Sequence, residues 1–358
     1  AILENKFLKA QIDRAGRIVS LQKDGTEFLR APANALHLYR NLNTEYDAWE
    51  LTSYYRGDEC ESALTDAVLL SCGVRQNGAA WEAYVECACR IGDSAVRQTI
   101  TLGEHEAQLT VALTVDWQET HKLLQAAFPT IVHTDRLLAQ TQYGYVTRPN
   151  HRSRPSDRDR FEGCMHAFCA LAGDNLGVLL LNDGIYGCAA EGGTMTLSLL
   201  RAAKRPDGNA DQGTHRFRYA IRPYHGSFAE AKAAEAGRLF AAGVELPAVP
   251  AAAKQSYSYF ALRPAENGRA PHGILLDWVK TAFDGSGDLI LRLYESCDSF
   301  ETAVLTSPLA ARAVYRCDAL ERPLSPLSFA EADGTAVTVS LKPFELLTLR
   351  LVRRSKTE

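Results

Sequence analysis

The stretch from Gln142 to Phe168 concentrates groups able to do acid–base or recognition chemistry. It holds Arg148, Arg152, Arg154, Arg158 and Arg160, with His151, Asp157, Asp159, Glu162 and His166, set among aromatic residues. Hydrolysis of a glycosidic bond needs two carboxyl groups flanking that bond. Asp157, Asp159, Glu162 and Asp183 could supply them. In a strand entering at residue 160, Arg160 and Glu162 would point the same way. The competing arrangement pairs these acids with Arg148, Arg152, Arg154 and Arg158 on a solvated loop, each pair worth roughly 0–1 kcal/mol. A run of such pairs would hold a long loop's shape, or present donors to a sugar or to another domain.

A second group lies at 45–57, EYDAWELTSYYRG, where Tyr46, Trp49, Tyr54 and Tyr55 stand beside Asp47, Glu50 and Arg56. Such rings can stack on the apolar face of a sugar while carboxylates and arginine take its hydroxyls. The other reading places half of these rings in the core. Metal chemistry has little support: the nine histidines form no HExxH motif. His215 and His225 would sit at opposite ends of one strand, roughly 30 Å apart if it is straight. A GxSxG nucleophile motif is absent, and EGGTM and FDGSGD read as turns rather than phosphate loops.

The elements that must position these groups read as strands. WEAYVECACRI (81–91) alternates with a period of two, placing Trp81, Ala83, Val85, Cys87, Cys89 and Ile91 on one face. AQLTVALTVDW (107–117), TMTLSLL (194–200) and RFRYAI (216–221) alternate likewise. LGVLLLND (176–183) is nearly continuous apolar sequence, as in a strand covered on both sides. The opening LENKFLKAQIDRAGRIVSLQKDG reads as strand, turn at Asp13–Gly16, strand, and turn at Asp24–Gly25. One helix is predicted over 227–240, capped by Ser227 with Glu230 three residues on. GILLDWVKTAF (273–283) and DLILRLYES (288–296) predict a hairpin across DGSG. The domain expectation is a large β unit over 1–240, a connector over 241–256, and a smaller β-sandwich over 257–358.

Bulk properties fit that picture. At 358 residues the chain can bury a large core, and its charge of -4 argues against a nucleic-acid partner. No apolar run approaches the ~20 residues of a membrane helix. Nine cysteines without a CxxC pair predict a reducing, cytoplasmic setting. The chain opens Ala-Ile-Leu-Glu-Asn without an initiator methionine and enters strand-like sequence at once. The expectation is a piece cut at a domain boundary, with a processed protein as the alternative.

Several runs carry a resemblance. LENKFLKAQIDRAGRIVSL, EYDAWEL, FPTIVHTDRLLAQTQYGYVTRPNHRSRPSDRDRFEGCMHAF, GVLLLNDGIYG, LSLLRAAKRPDGNADQGTHRFRYAIRPYHG and LKPFELLTLRL follow one another in order. Together they resemble the C-terminal β-sandwich region of bacterial glycoside hydrolase family 38 alpha-mannosidases. The resemblance implies an all-β fold: a galactose-mutarotase-like supersandwich followed by a smaller β-sandwich. It implies that the catalytic aspartate and the zinc ligands belong to an N-terminal domain outside this chain, so that no catalytic residue, metal site or cofactor is expected within it. The chain would buttress that catalytic domain of a retaining enzyme and line part of its cleft. Its partners would be that domain and mannosides or oligosaccharides, with self-association left open.

The residues expected at the cleft are Arg148, His151, Asp157, Arg160 and Glu162, with Asp47 and Trp49 as a second group. Asn182-Asp183-Gly184-Ile185-Tyr186-Gly187 departs from the family's pattern, which has serine or cysteine then lysine before Tyr-Gly. The insert from Arg152 to Arg158 is also more charged than usual. The alternatives are a free-standing carbohydrate-binding module and a sugar mutarotase using a histidine and a glutamate.

Overall fold

The computed structural model describes residues 1–42, 45–60, 63–242, 258–265, 271–331 and 334–354. The chain divides into two compact units, Ala1–Gln140 with Val146–Ala242, and Thr141–Tyr145 with Gly243–Glu358. Both are built almost wholly from antiparallel sheet. No helix among the described residues is long and apolar enough to cross a membrane.

In the first unit, a four-stranded sheet is formed by Ile2–Glu4, Lys9–Ile12, Ile18–Lys23 and Thr26–Glu27. A five-stranded sheet runs in the order Gly163–Cys164, Gly187–Glu191, Thr194–Arg201, Lys122–Pro129, Ala35–Arg40. The large sheet has nine strands and ends in Phe168–Ala172, Leu176–Asn182, Gly213–His225, Leu109–Trp117, Ser94–Gly103, Ala80–Ile91 and Leu64–Asn77. Period-two alternation puts Val85, Cys87, Cys89 and Ile91, and Leu109, Val111, Leu113 and Val115, into one core with Ile18, Leu21 and Phe28. Each fully buried side chain of this size contributes about 1.5–3 kcal/mol. Trp81 departs from the expected pattern. It lies at the far end of its strand, where the covering layer stops, and is 54 % exposed.

A buried polar bridge crosses this core. Tyr219 Oη donates to Asn34 Oδ1 at 2.6 Å, and Asn34 Nδ2 donates to Gln98 Oε1 at 2.7 Å and to the Gly16 carbonyl at 2.8 Å. All three side chains are essentially inaccessible. Gln98 Nε2 donates to the Ala15 carbonyl at 3.1 Å, so every side-chain polar atom of the bridge has a partner, the condition under which such a network is tolerated in a core. Asn34 also adopts φ 54°, a left-handed conformation that asparagine accepts more readily than most residues.

Leu176–Asn182 is covered on both faces, as its continuous apolar run implies. Val178 and Leu180 join the main core, while Leu179 and Leu181 are buried on the other side. The helix Ala233–Ala242 packs on this strand. It starts later than predicted. Ser227 and Glu230 do form the reciprocal bonds of a capping box. Lys232, however, takes φ 50°, which breaks the turn before the α-helix begins at Ala233. The connector expected from 241 thus begins inside this helix, and its remainder lies outside the described residues.

The second unit stacks a three-stranded sheet (Ala261–Pro264, Glu301–Ser307, Thr335–Leu341) with a five-stranded one (Ile274–Thr281, Leu289–Glu295, Leu346–Arg353, Ala311–Cys317, Pro323–Leu327). Leu291, Leu293, Leu305, Val314, Val337 and Leu349 fill the space between them. The predicted hairpin is present, with Ile274 opposite Glu295 and Thr281 opposite Leu289.

Candidate functional site

The outward face of the five-stranded sheet is polar where the inward face is apolar. Leu36, Leu38, Ala126, Phe128, Met195 and Leu197 point into the core. Alternation then sends His37, Tyr39, Gln125, Thr194, Thr196 and Ser198 outward. Gln125 lies directly opposite Ser198 on one side and His37 on the other. The segments 53–57 and 152–162 come across this face and complete the site.

Glu162 is its centre. Its Oε1 accepts from Tyr55 Oη at 2.5 Å and Gln125 Nε2 at 2.7 Å, and its Oε2 accepts from Ser198 Oγ at 3.3 Å. Burial raises the Glu162 pKa from its ordinary value, opposed by the bonds from Tyr55, Gln125 and Ser198 and by the charge of Arg56. The Tyr55 hydroxyl is likewise pushed up, first by burial and then by Glu162. Tyr39 is raised to about 12, mainly by burial and by the charge of Glu59.

Beside Glu162 lies a hollow of about 360 Å3, lined by Tyr39, Arg56, Gln125, Arg152, Glu191, Thr194 and Thr196. Arg56 and Arg152 both meet Glu191 Oε2, at 3.1 and 2.5 Å. Arg56 also donates to the Phe161 carbonyl and to Tyr55 Oη. The wall of this hollow therefore offers two guanidinium groups, hydroxyls and an amide, a set suited to holding hydroxyl-bearing ligands. Both carboxylates are engaged by protein donors, so neither stands ready as an unpartnered base or nucleophile.

The other residues singled out from sequence scatter around this cluster. Arg148 lies against Gly163, and its Nη2 donates to the Cys164 carbonyl at 3.1 Å. His151 and Asp157 approach to 3.5 Å. Asp157 accepts the Arg154 backbone N–H at 3.1 Å and so caps the short helix Pro155–Asp159. That helix, rather than a strand, leads into residue 160. Arg160 is its exposed C-cap, and Arg160 and Glu162 therefore share no strand face. Arg152 pairs outside the stretch, with Glu191. Asp183 faces Arg218 at 3.7 Å.

Asp47 belongs to a separate knot: it is buried, its Oδ2 accepts the Lys204 backbone N–H at 2.6 Å, and its carbonyl accepts from Arg201. Arg201 in turn binds Asn41 Oδ1 at 2.6 Å. Trp49, Tyr46 and Tyr54 are exposed, and of the four aromatic rings in 45–55 only Tyr55 is buried. Nothing in the sequence marks Gln125, Ser198 and Glu191 as partners of Arg56 and Glu162. A lone amide inside the apolar run KLLQAAFP was the available signal for Gln125. Among the described residues, no three His, Cys, Asp or Glu side chains gather where they could hold a metal ion.

Comparison with known proteins shows the family of the chain. Residues 3–209 match the glycosyl hydrolases family 38 C-terminal domain, and residues 273–349 match the glycosyl hydrolases family 38 C-terminal beta sandwich domain. The chain belongs to glycosyl hydrolase family 38, as its C-terminal region. It is 31 % identical over 360 residues to alpha-mannosidase 2C1 of Homo sapiens, covering 98 % of this chain and 33 % of that protein. It is 28 % identical over 369 residues to alpha-mannosidase G of Dictyostelium discoideum, covering 98 % and 32 %. The chain thus spans about a third of the length of these relatives. An alpha-mannosidase structure from Enterococcus faecalis V583 shares the fold, with a TM-score of 0.72 at 17 % identity over 98 % of this chain and 42 % of that one.

Proposed function

We propose that this chain is the non-catalytic β region of a retaining alpha-mannosidase of the bacterial kind, acting in the cytoplasm. Its task in the parent enzyme is to buttress a zinc-dependent catalytic domain and to line part of the mannoside cleft. The observation that carries this reading is the asymmetry of coverage: the human relative matches 98 % of this chain with only 33 % of its own length. The rest of such a protein has room for the reaction centre. The engagement of Glu162 by Tyr55, Gln125 and Ser198, and of Glu191 by Arg56 and Arg152, is in keeping with this division of labour, since it fixes both carboxylates as parts of a wall. The arginines of the loop from Arg148 to Glu162 supply donors toward the cleft or the neighbouring domain, exposed Trp49 offers a ring face, and buried Asp47 holds the second segment in place by accepting from Lys204 and Arg201. The chemistry of bond cleavage, and the zinc, reside in the preceding domain.

The test is hydrolysis of p-nitrophenyl α-mannoside with added zinc, by this chain and by the longer protein that contains it. The longer protein turns over substrate and the chain alone stays at the blank. Turnover by the chain alone overturns the reading. Saturable micromolar binding of mannose or mannan by an inactive chain, with no activity in the longer protein, would favour a carbohydrate-binding module instead.

A further inference from the structure

The nine-stranded sheet leaves part of its core-side face bare. Along Ala80–Ile91 this face carries Val85, Cys87, Cys89 and Ile91, none more than 5 % exposed. The outermost strand, Leu64–Asn77, presents the same face through the cross-strand partners of those residues. Leu69 stands opposite Cys87, Cys72 opposite Val85, and Val74 opposite Ala83. Here the described residues provide no cover: Leu69 is 41 % and Val74 65 % exposed, and Cys72 and Trp81 are exposed beside them.

The cause is that the covering layer ends too soon. Among the described residues its last strand, Ile2–Glu4, is paired on one side only, and it touches the Ala80–Ile91 and Ser94–Gly103 strands. At one end Asn5 Nδ2 donates to the Gly103 and Glu106 carbonyls at 2.7 and 2.8 Å. At the other the Ala1 amine donates to the Ile12 carbonyl at 2.7 Å, next to Asp13, whose carbonyl meets the Cys87 thiol at 3.7 Å. The upper layer stops one strand inside the lower sheet's edge. A separate hollow of about 530 Å3 lies near the start of the Leu64–Asn77 strand, between the Asp13–Arg17 turn, Ala35–Leu38 and Ala63–Ala67. A stripe of this kind, flanked by an unpaired strand edge, is what an added strand covers.

We infer that an extended segment of the polypeptide preceding Ala1 in the parent protein pairs with the free edge of Ile2–Glu4 and roofs Leu69, Cys72, Val74 and Trp81. This rests on the reading of the chain as one region of a longer alpha-mannosidase. Two observations favour this occupant over a second copy of the chain. The relatives carry two thirds of their length outside the matched region. Any segment joined at Ala1 also arrives at this very edge, and tethering makes its pairing effectively intramolecular. About five residues suffice, since a strand rises about 3.3 Å per residue, with apolar side chains at alternate positions facing the stripe.

Alkylation of Cys72, followed by mass spectrometry, reads the cover directly. In the 358-residue chain Cys72 reacts freely. In the native longer protein it reacts at least about tenfold more slowly than in the same protein unfolded in urea, because the thiol must wait for local opening. Val74→Asp leaves the melting temperature of the 358-residue chain unchanged and speeds Cys72 labelling in the longer protein. Equal labelling of the native and unfolded longer protein overturns the inference. Protection of Cys72 in the 358-residue chain together with dimers in sedimentation also overturns it, because the occupant is then a second copy. Mannosidase activity in the same preparations separates the two levels: an active protein with a freely reacting Cys72 sinks the docked strand alone. An inactive one with a protected Cys72 sinks the functional reading alone.

Discussion

Removing the Glu162 carboxylate should cost stability in a way that depends on what replaces it. Glu162→Ala leaves Tyr55 Oη and Gln125 Nε2 without their shared acceptor. Tyr55 and Gln125 are each only 3 % exposed, so water is a poor substitute. A buried donor left unsatisfied costs about 1–3 kcal/mol. Gln125 keeps Ser198 Oγ at 3.0 Å, and so the total should fall near the low end, about 2–3 kcal/mol. In a unit of this size that is a drop of roughly 4–12 °C in melting temperature.

Glu162→Gln keeps an acceptor for Tyr55 and Gln125, can donate to Ser198 Oγ, and removes a half-buried charge. It should lie within about 0.5 kcal/mol of the parent or above it. The two also differ in pH dependence. Burial holds the Glu162 pKa above its ordinary value. Its favourable term is complete below the unfolded-state pKa and is lost as pH rises through the folded-state pKa, since the folded protein then gives up its proton less readily than the unfolded chain. Glu162→Gln lacks that decline. Thermal unfolding followed by circular dichroism between pH 4 and 8 measures both effects. An Ala variant as stable as the parent, or a Gln variant as damaged as Ala at neutral pH, refutes the reasoning.

Two further substitutions probe the frame around the site. Asn34→Ala removes three buried hydrogen bonds and strands Tyr219 Oη in the core, so it should cost about 3 kcal/mol or more in chemical denaturation; a change below 1 would contradict the bridge. Gly163→Ala places a Cβ 2.6 Å from Arg148 Nε, so the arginine must leave the Cys164 carbonyl; stability should fall by about 1–3 kcal/mol, and Arg148→Ala in the same chain should relieve part of it.

Much of the fold is written in local pattern. The period-two runs at 81–91 and 109–117 are strands with the expected buried faces, because side-chain alternation is a property of the strand itself. The hairpin across Asp284–Gly287 is equally local. Trp81 and Lys232 show where locality fails. Whether a core-side tryptophan is covered depends on how far another layer reaches, and a left-handed residue can cancel a good helix start.

The site was legible only in part. Glu162 stood out by its charge, but Tyr55, Gln125 and Ser198 lie 107, 37 and 36 residues away; register aligns Gln125 with Ser198, and Tyr55 and Glu162 arrive on segments crossing the sheet, which no single stretch encodes. The helix Pro155–Asp159 did have a signal, proline at its start and Asp157 at its third position, hidden within what reads as a charged loop.

The central claim is that this polypeptide supports a reaction centre supplied by other parts of its protein. Complementation tests it most directly: purify this chain and the separately produced preceding region, and measure α-mannoside hydrolysis for each alone and for the mixture in the presence of zinc. Activity that rises only on mixing, with this chain alone at the blank, is the predicted result. Hydrolysis by this chain on its own, undiminished by a zinc chelator, would contradict it.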